Sequence, residues 1–105
     1  MRIPKVVAVH DLSCYGRCSL SVIMPILANL QIQVCPLPTA VLSSHLGGYQ
    51  NIAVTDFTEK LADIYHNWQK ESLEFDCFYS GYLASPEQIK VVEAIFKSAP
   101  AHVLK

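Results

Sequence analysis

The feature that most constrains the fold is an apolar run at residues 6–9 that gives way at once to polar residues and a glycine. A Val-rich run without polar alternation is typical of a strand covered on both faces, as in a parallel sheet. In open α/β sheets, ligands bind beside the carboxyl ends of the strands, where loops carry polar groups. Residues 11–16 are therefore predicted to form the first wall of a pocket, and residues 39–49 the second.

Strand and helix patterns alternate along the rest of the chain. Strands are predicted at residues 5–10, 34–41 and 75–80, with a fourth opening at 101–104. A long polar loop is predicted at 43–54, and Pro36 and Pro38 predict an irregular second strand. The resulting β-α-β-loop-α-β-α-β order predicts an α/β fold with a mostly parallel sheet and right-handed crossovers.

Three helices are predicted from apolar stripes and from capping signals. Ser85, Pro86 and Gln88 have the types and spacing of a helix start. Asp56 and Glu59 have the spacing of a capping box, which places the start of the second helix at Thr55 or Asp56. The stripes predicted to be buried are Leu20, Ile23, Met24, Leu27 and Leu30; Phe57, Leu61, Ile64, Tyr65 and Trp68; and Ile89, Val92, Ile95 and Phe96.

Composition limits the classes of function. A chain of 105 residues is one domain at most, and its 16% of charged residues is low for a free-standing surface, which suggests cover from outside the chain. With a net charge of -1 and no Lys/Arg cluster, neither nucleic acid nor an anionic membrane is expected as a partner. No apolar stretch reaches the length of a membrane span, and a cytoplasmic location is expected.

Common catalytic and metal motifs are absent from the sequence. There is no Gly-x-Gly-x-x-Gly, P-loop, His-Glu-x-x-His or Gly-x-Ser-x-Gly segment. Ser13, His45 and Asp56 have no spacing that supports a triad. Cys14 and Cys18 lack a downstream pair of ligands, so reduced cysteines that act as small buried residues are favoured over a metal site.

Polar residues gather at three predicted strand ends, and each has two interpretations. Asp11 could accept a hydrogen bond from a ligand or cap the following turn. Thr39 could line a pocket, although a plain β-forming role is favoured. His45 fits a loop residue better than a catalyst. Gly47 and Gly48 fit a turn with positive φ or a flap over a substrate. Tyr82 could lie against an aromatic ligand or simply pack.

Three segments carry a family resemblance: residues 11–20 (DLSCYGRCSL), 37–49 (LPTAVLSSHLGGY) and 79–89 (YSGYLASPEQI). Together, in this order and spacing, they resemble the N-terminal part of pyridoxal kinases, and most closely the bacterial pyridoxal/pyridoxamine kinases of the ribokinase-like superfamily. The resemblance implies a three-layer α/β/α fold, in which residues 1–105 form the N-terminal part of a single kinase domain.

The resemblance also implies a reaction and a set of site residues. The family uses ATP and a divalent cation, Mg²⁺, to phosphorylate the 5′-hydroxymethyl group of pyridoxal, pyridoxamine or pyridoxine, in a cytoplasmic enzyme expected to be a homodimer. Related hydroxymethylpyrimidine kinases share the scaffold and remain an alternative. Asp11 matches a ring contact that is Ser in many members, and Leu46 stands where Thr is common. The matching substrate-binding positions are Asp11, Thr39, Leu46, Gly47 and Tyr82.

The resemblance assigns no catalytic residue to this chain. The family's general base, Gly-rich anion hole, ATP contacts and metal contacts belong to its C-terminal part. Residues 1–105 alone are therefore expected not to transfer a phosphoryl group, and a non-catalytic ligand-binding or subunit-contact fragment stays open as a different class of function. An interrupted sheet is also expected to expose an apolar edge that favours aggregation, self-association or a complementing partner.

Overall fold

The sheet is built around the first predicted strand. A computed structural model describes residues 2–81, 83 and 85–105. Four strands lie in the order β3-β2-β1-β4, with β2 and β4 parallel to β1 and β3 antiparallel to β2. The prediction of three neighbouring parallel strands is therefore confirmed. The elements are β1 (Lys5–Tyr15), α1 (Leu20–Asn29), β2 (Gln33–Ser44), β3 (Val54–Asp56), α2 (Thr58–Lys70), β4 (Cys77–Ser80) and α3 (Pro86–Ser98).

Helices cover both faces of the sheet, as the three-layer prediction requires. Because side chains alternate along a strand, Val7, Val9 and Phe78 point to one face, where α2 and α3 pack. Val6, Cys77 and Tyr79 point to the other face, beside α1. The core on the α2–α3 side consists of Val7, Val9, Leu37, Leu61, Tyr65, Phe78, Val92, Ile95, Ala99 and Val103.

The α1 face is only partly covered by the described residues. An apolar groove of about 440 Å³ runs between α1 and β4. Met24 and Leu30, both predicted to be buried, are 40% and 61% exposed. The prediction is wrong for these two because α1 packs mainly on β1 and β2, which leaves its outer and C-terminal surface exposed.

The first two strands are longer than predicted. Residues 11–15, predicted as a pocket loop, continue β1, and β2 continues to Ser44. Between them the pairing shifts, because His10 lies opposite Pro38 while Leu12 lies opposite Val41. Beyond this bulge, residues 12–15, 41–44 and 54–56 form an extension that we call the distal arm.

Residues 54–56 were predicted as loop and helix start, and this prediction is wrong. They form β3, an edge strand, and α2 begins at Thr58. The carboxylate of Asp56 accepts a hydrogen bond from the backbone N–H of Thr58 at 2.7 Å, which takes the place of the predicted capping box with Glu59. β3 covers β2 only at 40–42, so Pro36 and Pro38 lie where β2 has an open edge and need no backbone donor.

The start of α3 is confirmed. Ser85 Oγ accepts a hydrogen bond from the backbone N–H of Gln88 at 3.2 Å, and Pro86 is the first helical residue. The buried face of α3 is set by Gln88, Val92 and Ile95, which leaves Ile89 52% exposed instead of buried. The predicted fourth strand is reduced to one parallel bridge between Leu104 and Cys77.

The four cysteines are free, and Cys14 is exposed while Cys18, Cys35 and Cys77 are half-buried. The prediction that they act as buried residues is therefore wrong for Cys14, which is exposed on the distal arm. Within the described part of the chain, none of the helices has both the length and the apolar character that crossing a membrane would need.

Candidate functional site

The centre of the candidate site is the bulge between β1 and β2. Asp11 alone on β1 lies opposite Thr39 and Ala40 on β2, because the register shifts by one residue there. Bulges of this kind re-aim side chains and are common next to binding sites. Two of the predicted site residues, Asp11 and Thr39, are thus neighbours on adjacent strands.

The half-buried carboxylate of Asp11 is held by two hydroxyl groups. Ser19 Oγ donates to Asp11 Oδ1 at 2.8 Å, and Ser13 Oγ donates to Oδ2 at 3.3 Å. Ser19 directly precedes α1, so the carboxylate joins β1 to the start of that helix. Each carboxylate oxygen can accept a further hydrogen bond, so both proposed roles, turn anchor and ligand acceptor, are compatible with this geometry.

Ser13 and Ser19 are site residues that sequence reasoning did not single out as partners of Asp11. Ser13 is 1% exposed, and Cys18 Sγ donates to its hydroxyl at 3.4 Å. Ser19 has a φ of 51° and pairs with Leu12 through an isolated antiparallel bridge. The connection from β1 to α1 therefore folds back onto β1, a contact that no local sequence pattern signals.

Thr39 is 2% exposed, and its backbone carbonyl joins three elements. The carbonyl accepts from the backbone N–H of Phe57 at 2.9 Å and from Gln88 Nε2 at 2.8 Å. Gln88 is fully buried in the first turn of α3. The sequence analysis treated Gln88 only as a residue of the helix start. Its spacing from Val92 and Ile95, which places it on the same face of α3, was the signal that indicated a buried side chain.

Leu46 and Gly47 lie away from the bulge, in the loop after β2. Leu46 is 61% exposed, and four residues of strand, about 13 Å, separate Ala40 from the end of β2. The Tyr49 ring lies 5.1 Å from that of His45 and 6.1 Å from that of Tyr15. The structure therefore places Leu46 and Gly47 at the end of the distal arm and does not bring them to Asp11. Tyr82 lies outside the described residues.

Two glycines stand against imidazole rings. A Cβ atom added to Gly16, which has a φ of 112°, would lie 2.5 Å from Nδ1 of His45. A Cβ atom added to Gly81 would lie 2.3 Å from Nδ1 of His10. Gly48 has a φ of 85°, as the predicted positive-φ turn requires.

His10 is a second feature that the sequence analysis passed over. It directly precedes Asp11, is 5% exposed, and its ring centroid lies 4.7 Å from that of Tyr79. Burial lowers the pKa of His10, and the nearby carboxylate of Asp11 offsets this only in part. Nε2 has no hydrogen-bond partner among the described residues. A histidine that ends an apolar run was the signal available in the sequence.

A preformed cluster of metal ligands is not found among the described residues. Across residues 2–81, 83 and 85–105, no group of three or more His, Cys, Asp or Glu side chains is placed to hold a cation. The arrangement around the bulge offers a carboxylate acceptor and hydroxyl groups, which can form hydrogen bonds with a small polar ligand.

Several solved structures with the same fold are named as kinases. A Bacteroides thetaiotaomicron protein, provisionally named a phosphomethylpyrimidine kinase, superposes with a TM-score of 0.93 and 44% identity, over 99% of this chain and 36% of its own. Pyridoxal kinase from Lactobacillus plantarum superposes with a TM-score of 0.89 and 30% identity, over 94% of this chain and 36% of its own. The chain has the ribokinase-like fold of these kinases.

The predicted resemblance to pyridoxal kinases is confirmed, and the chain spans about a third of the length of these ribokinase-like relatives. A second crystal form of the Bacteroides protein is described with pyridoxal, at a TM-score of 0.90 and 44% identity over 98% of this chain. The Leishmania donovani pyridoxal kinase in complex with ADP and pyridoxamine is 18% identical, with a TM-score of 0.82, and shows the fold alone. No protein-family model and no curated protein matches the chain.

Proposed function

We propose that this chain supplies the ring-binding side of a kinase that phosphorylates the 5′-hydroxymethyl group of vitamin B6 vitamers. The observation that carries the proposal is the bulge, which sets Asp11 beside Thr39 just beyond the point where β1 stops pairing with β4. A neighbour at 44% identity, described with pyridoxal, supports a pyridine ring as the ligand. We further propose that the chain is the N-terminal part of one kinase domain, in a cytoplasmic homodimer.

In this proposal Asp11 receives the polar edge of the ring. Its carboxylate accepts a hydrogen bond from a ring N–H or hydroxyl, while Ser13 and Ser19 hold it in place. A carboxylate that is already oriented loses little side-chain freedom when a ligand binds. Thr39 lies beside it, and the exposed pair Leu46–Gly47 closes over the ring when the ligand binds. Tyr82 is proposed to pack beside the ring.

ATP and Mg²⁺ are proposed to be held by residues outside this chain. They supply the phosphoryl group and stabilise its charge during transfer. The chain's other aspartates have different surroundings: Asp56 holds the start of α2, and Asp76 accepts from the backbone N–H of Lys5 at the opposite end of β1. A general base must come within about 2.6–3.2 Å of the proton that it removes. We therefore propose that residues 1–105 alone do not transfer a phosphoryl group.

A hydroxymethylpyrimidine kinase is the second candidate, because the Bacteroides neighbour carries a phosphomethylpyrimidine kinase name. A phosphorylation assay with pyridoxal, pyridoxamine and hydroxymethylpyrimidine separates the two. It is run on the chain alone and on the chain joined to the part of a relative that the chain does not cover. Turnover of the B6 vitamers by the joined protein supports the proposal, and turnover of hydroxymethylpyrimidine alone supports the second candidate.

No turnover of any of the three compounds by the joined protein rejects both kinase candidates. Ligand binding without turnover would then favour a non-catalytic binding fragment. Turnover by the purified, monomeric 105-residue chain would contradict the assignment of the catalytic groups to residues outside it.

A further inference from the structure

We propose that His10 in its neutral form is a positioning residue, which holds Gly81 against β1 at Val9, and that a proton gained by His10 releases Gly81. The release is a property of this chain and stands apart from the proposed function. Only its effect on ligand binding rests on that function.

The contact between His10 and Gly81 is close and specific. The backbone N–H of Gly81 donates to the carbonyl of Val9 at 3.1 Å, which docks the residue after β4 onto β1. The imidazole of His10 occupies the space that a Cβ atom on Gly81 would need, 2.3 Å from Nδ1 and 2.4 Å from Cε1. Gly81 is not among the described glycines with positive φ, so the imidazole, and not the backbone conformation, calls for glycine here.

The buried imidazole suits one protonation state. Nε2 lies inside the protein and has no hydrogen-bond partner among the described residues. A neutral imidazole carries one N–H, whereas a protonated one carries two, both of which need acceptors. A buried donor without an acceptor is costly. Moving Gly81 away would let water reach the ring, so protonation favours the released arrangement.

The charged surroundings of His10 do not reverse this preference. On its own strand, Asp11 faces it with a carboxylate that is already bonded to Ser13 and Ser19. From β4, the neighbour is the aromatic ring of Tyr79. Neither α1 nor β2 contains an acidic or basic residue. Asp11 is thus the one carboxylate that raises the pKa of His10, and burial outweighs it.

Amide hydrogen exchange at Gly81 tests the release directly, because that N–H is the one bonded to Val9. Exchange is measured by NMR from about pH 7.5 to about pH 5.5 and corrected for the intrinsic dependence on pH. With an ordinary histidine pKa of about 6.5 in the released form, the protection of Gly81 falls by up to about tenfold at pH 5.5. The amide of Leu61, bonded to Phe57 in α2, serves as the reference for global unfolding.

Two variants separate His10 from other causes. His10→Gln keeps a polar side chain without a titration near neutral pH, and its Gly81 protection stays constant over this range. The matched control, His66→Gln, changes an exposed histidine of α2 and keeps the wild-type dependence. A wild-type protection that does not depend on pH, or the same dependence in His10→Gln, overturns the proposal.

If His10→Gln does not fold, a measurement on the wild-type protein still tests the proposal. The midpoint of the Gly81 exchange curve is compared with the titration of the His10 imidazole followed in the same samples. Coincident midpoints support the proposal, and separate midpoints overturn it.

Ligand affinity gives a second, distinguishable readout. Pyridoxine, which has no aldehyde to react with lysines, is expected to bind less tightly as Gly81 is released, in the wild type but not in His10→Gln. Release of Gly81 with no pyridoxine binding at any pH leaves the positioning role standing and rejects the proposed function. Pyridoxine binding without release of Gly81 rejects the positioning role and leaves the proposed function standing.

Discussion

At the scale of single residues, we propose that the one carboxylate of Asp11 has both a structural and a binding role. Its bonds to Ser13 and Ser19 tie the end of the parallel sheet to the start of α1, and its remaining lone pairs are available to a ligand. Structural and binding roles therefore have to be separated by experiment, since a single substitution affects both.

Asp11→Asn is expected to weaken pyridoxine binding by roughly 10- to 100-fold, because a hydrogen bond to a charged group is worth about 1.5–3 kcal/mol. The affinity is measured by calorimetric titration without ATP, and the free energy of unfolding is measured alongside. Asp63→Asn, on the exposed side of α2, is the matched control and should leave the affinity unchanged. Equal affinities for Asp11→Asn and the wild type would remove Asp11 from the site.

Gly81→Ala is expected to lower the free energy of unfolding by about 1–3 kcal/mol, because its methyl group would overlap the His10 ring. Combined with His10→Ala, which removes the ring, the same substitution should cost much less. Gly47→Ala is the control: its nearest neighbour would be 3.8 Å away, so little change is expected. An equal cost of Gly81→Ala in both backgrounds, measured by denaturant unfolding, would show that the imidazole is not the cause.

At the scale of elements, the first turn of α3 is joined to the bulge through Gln88. Its side chain donates to the Thr39 carbonyl, which also accepts from the N–H of Phe57. This carbonyl therefore connects β2 with the starts of two helices on one face of the sheet. A shift of α3 would therefore change the position of Thr39, which lies beside Asp11.

Two substitutions of Gln88 should lower the free energy of unfolding by different amounts. Gln88→Met loses the hydrogen bond to the Thr39 carbonyl, which keeps the bond from Phe57, and also the hydrogen bond to the Asp56 carboxylate, so a cost of about 1–3 kcal/mol is expected. Gln88→Glu places a fully buried carboxylate against the carbonyl oxygen and should cost several kcal/mol more near neutral pH. Gln69→Glu, on the exposed side of α2, is the control and should be nearly neutral. Thermal unfolding of the three variants checks this order, and Gln88→Glu as stable as Gln88→Met would contradict it.

The sequence predicts the elements better than their ends. The strands that begin at Lys5, Gln33 and Cys77 follow from apolar runs, and α3 follows from its capping residues, since these signals are local. The distal arm was missed because a bulge leaves no mark in the hydrophobic pattern, and β3 exists only through pairing with β2.

The residues of the candidate site also differ in whether a local sequence signal predicts them. Asp11 and Thr39 could be found because they stand near predicted strand ends. The pairing of His10 with Gly81 joins residues far apart in the sequence, so no local pattern could reveal it. Leu46 and Gly47 came from family resemblance, and the structure places them at the tip of the distal arm, where their role stays a prediction.

At the scale of the whole molecule, stability should fall in mild acid because of one histidine. The pKa of His10 is lowered by burial from 6.5, so the unfolded chain takes up the proton more readily than the folded chain. The stabilisation is complete above that value and declines as the pH falls below it, by at most about 1.4 kcal/mol per pH unit.

Denaturant unfolding between about pH 7.5 and pH 5 checks this decline, with His10→Gln expected to flatten the curve. The pKa of Asp56 is lowered by hydrogen bonds from Thr58, and that of Asp76 by hydrogen bonds from Lys5 and Arg2. These carboxylates stabilise the fold above about 3.8 and lose that effect only at lower pH, so the two windows do not overlap. A decline that is unchanged in His10→Gln would assign it to other groups.

The most direct measurement of the central claim is an NMR titration of the isotope-labelled chain with pyridoxine, without ATP. If the bulge forms the ring-binding wall, the amide signals that move should belong to Asp11, Thr39 and Ser19, together with Gly81. The cavity of about 340 Å³ between the C-terminal part of α2 and the residues that follow α3, lined by Tyr65 and His102 among others, should stay unaffected. Shifts confined to that cavity, or no shifts at millimolar pyridoxine, would contradict the account.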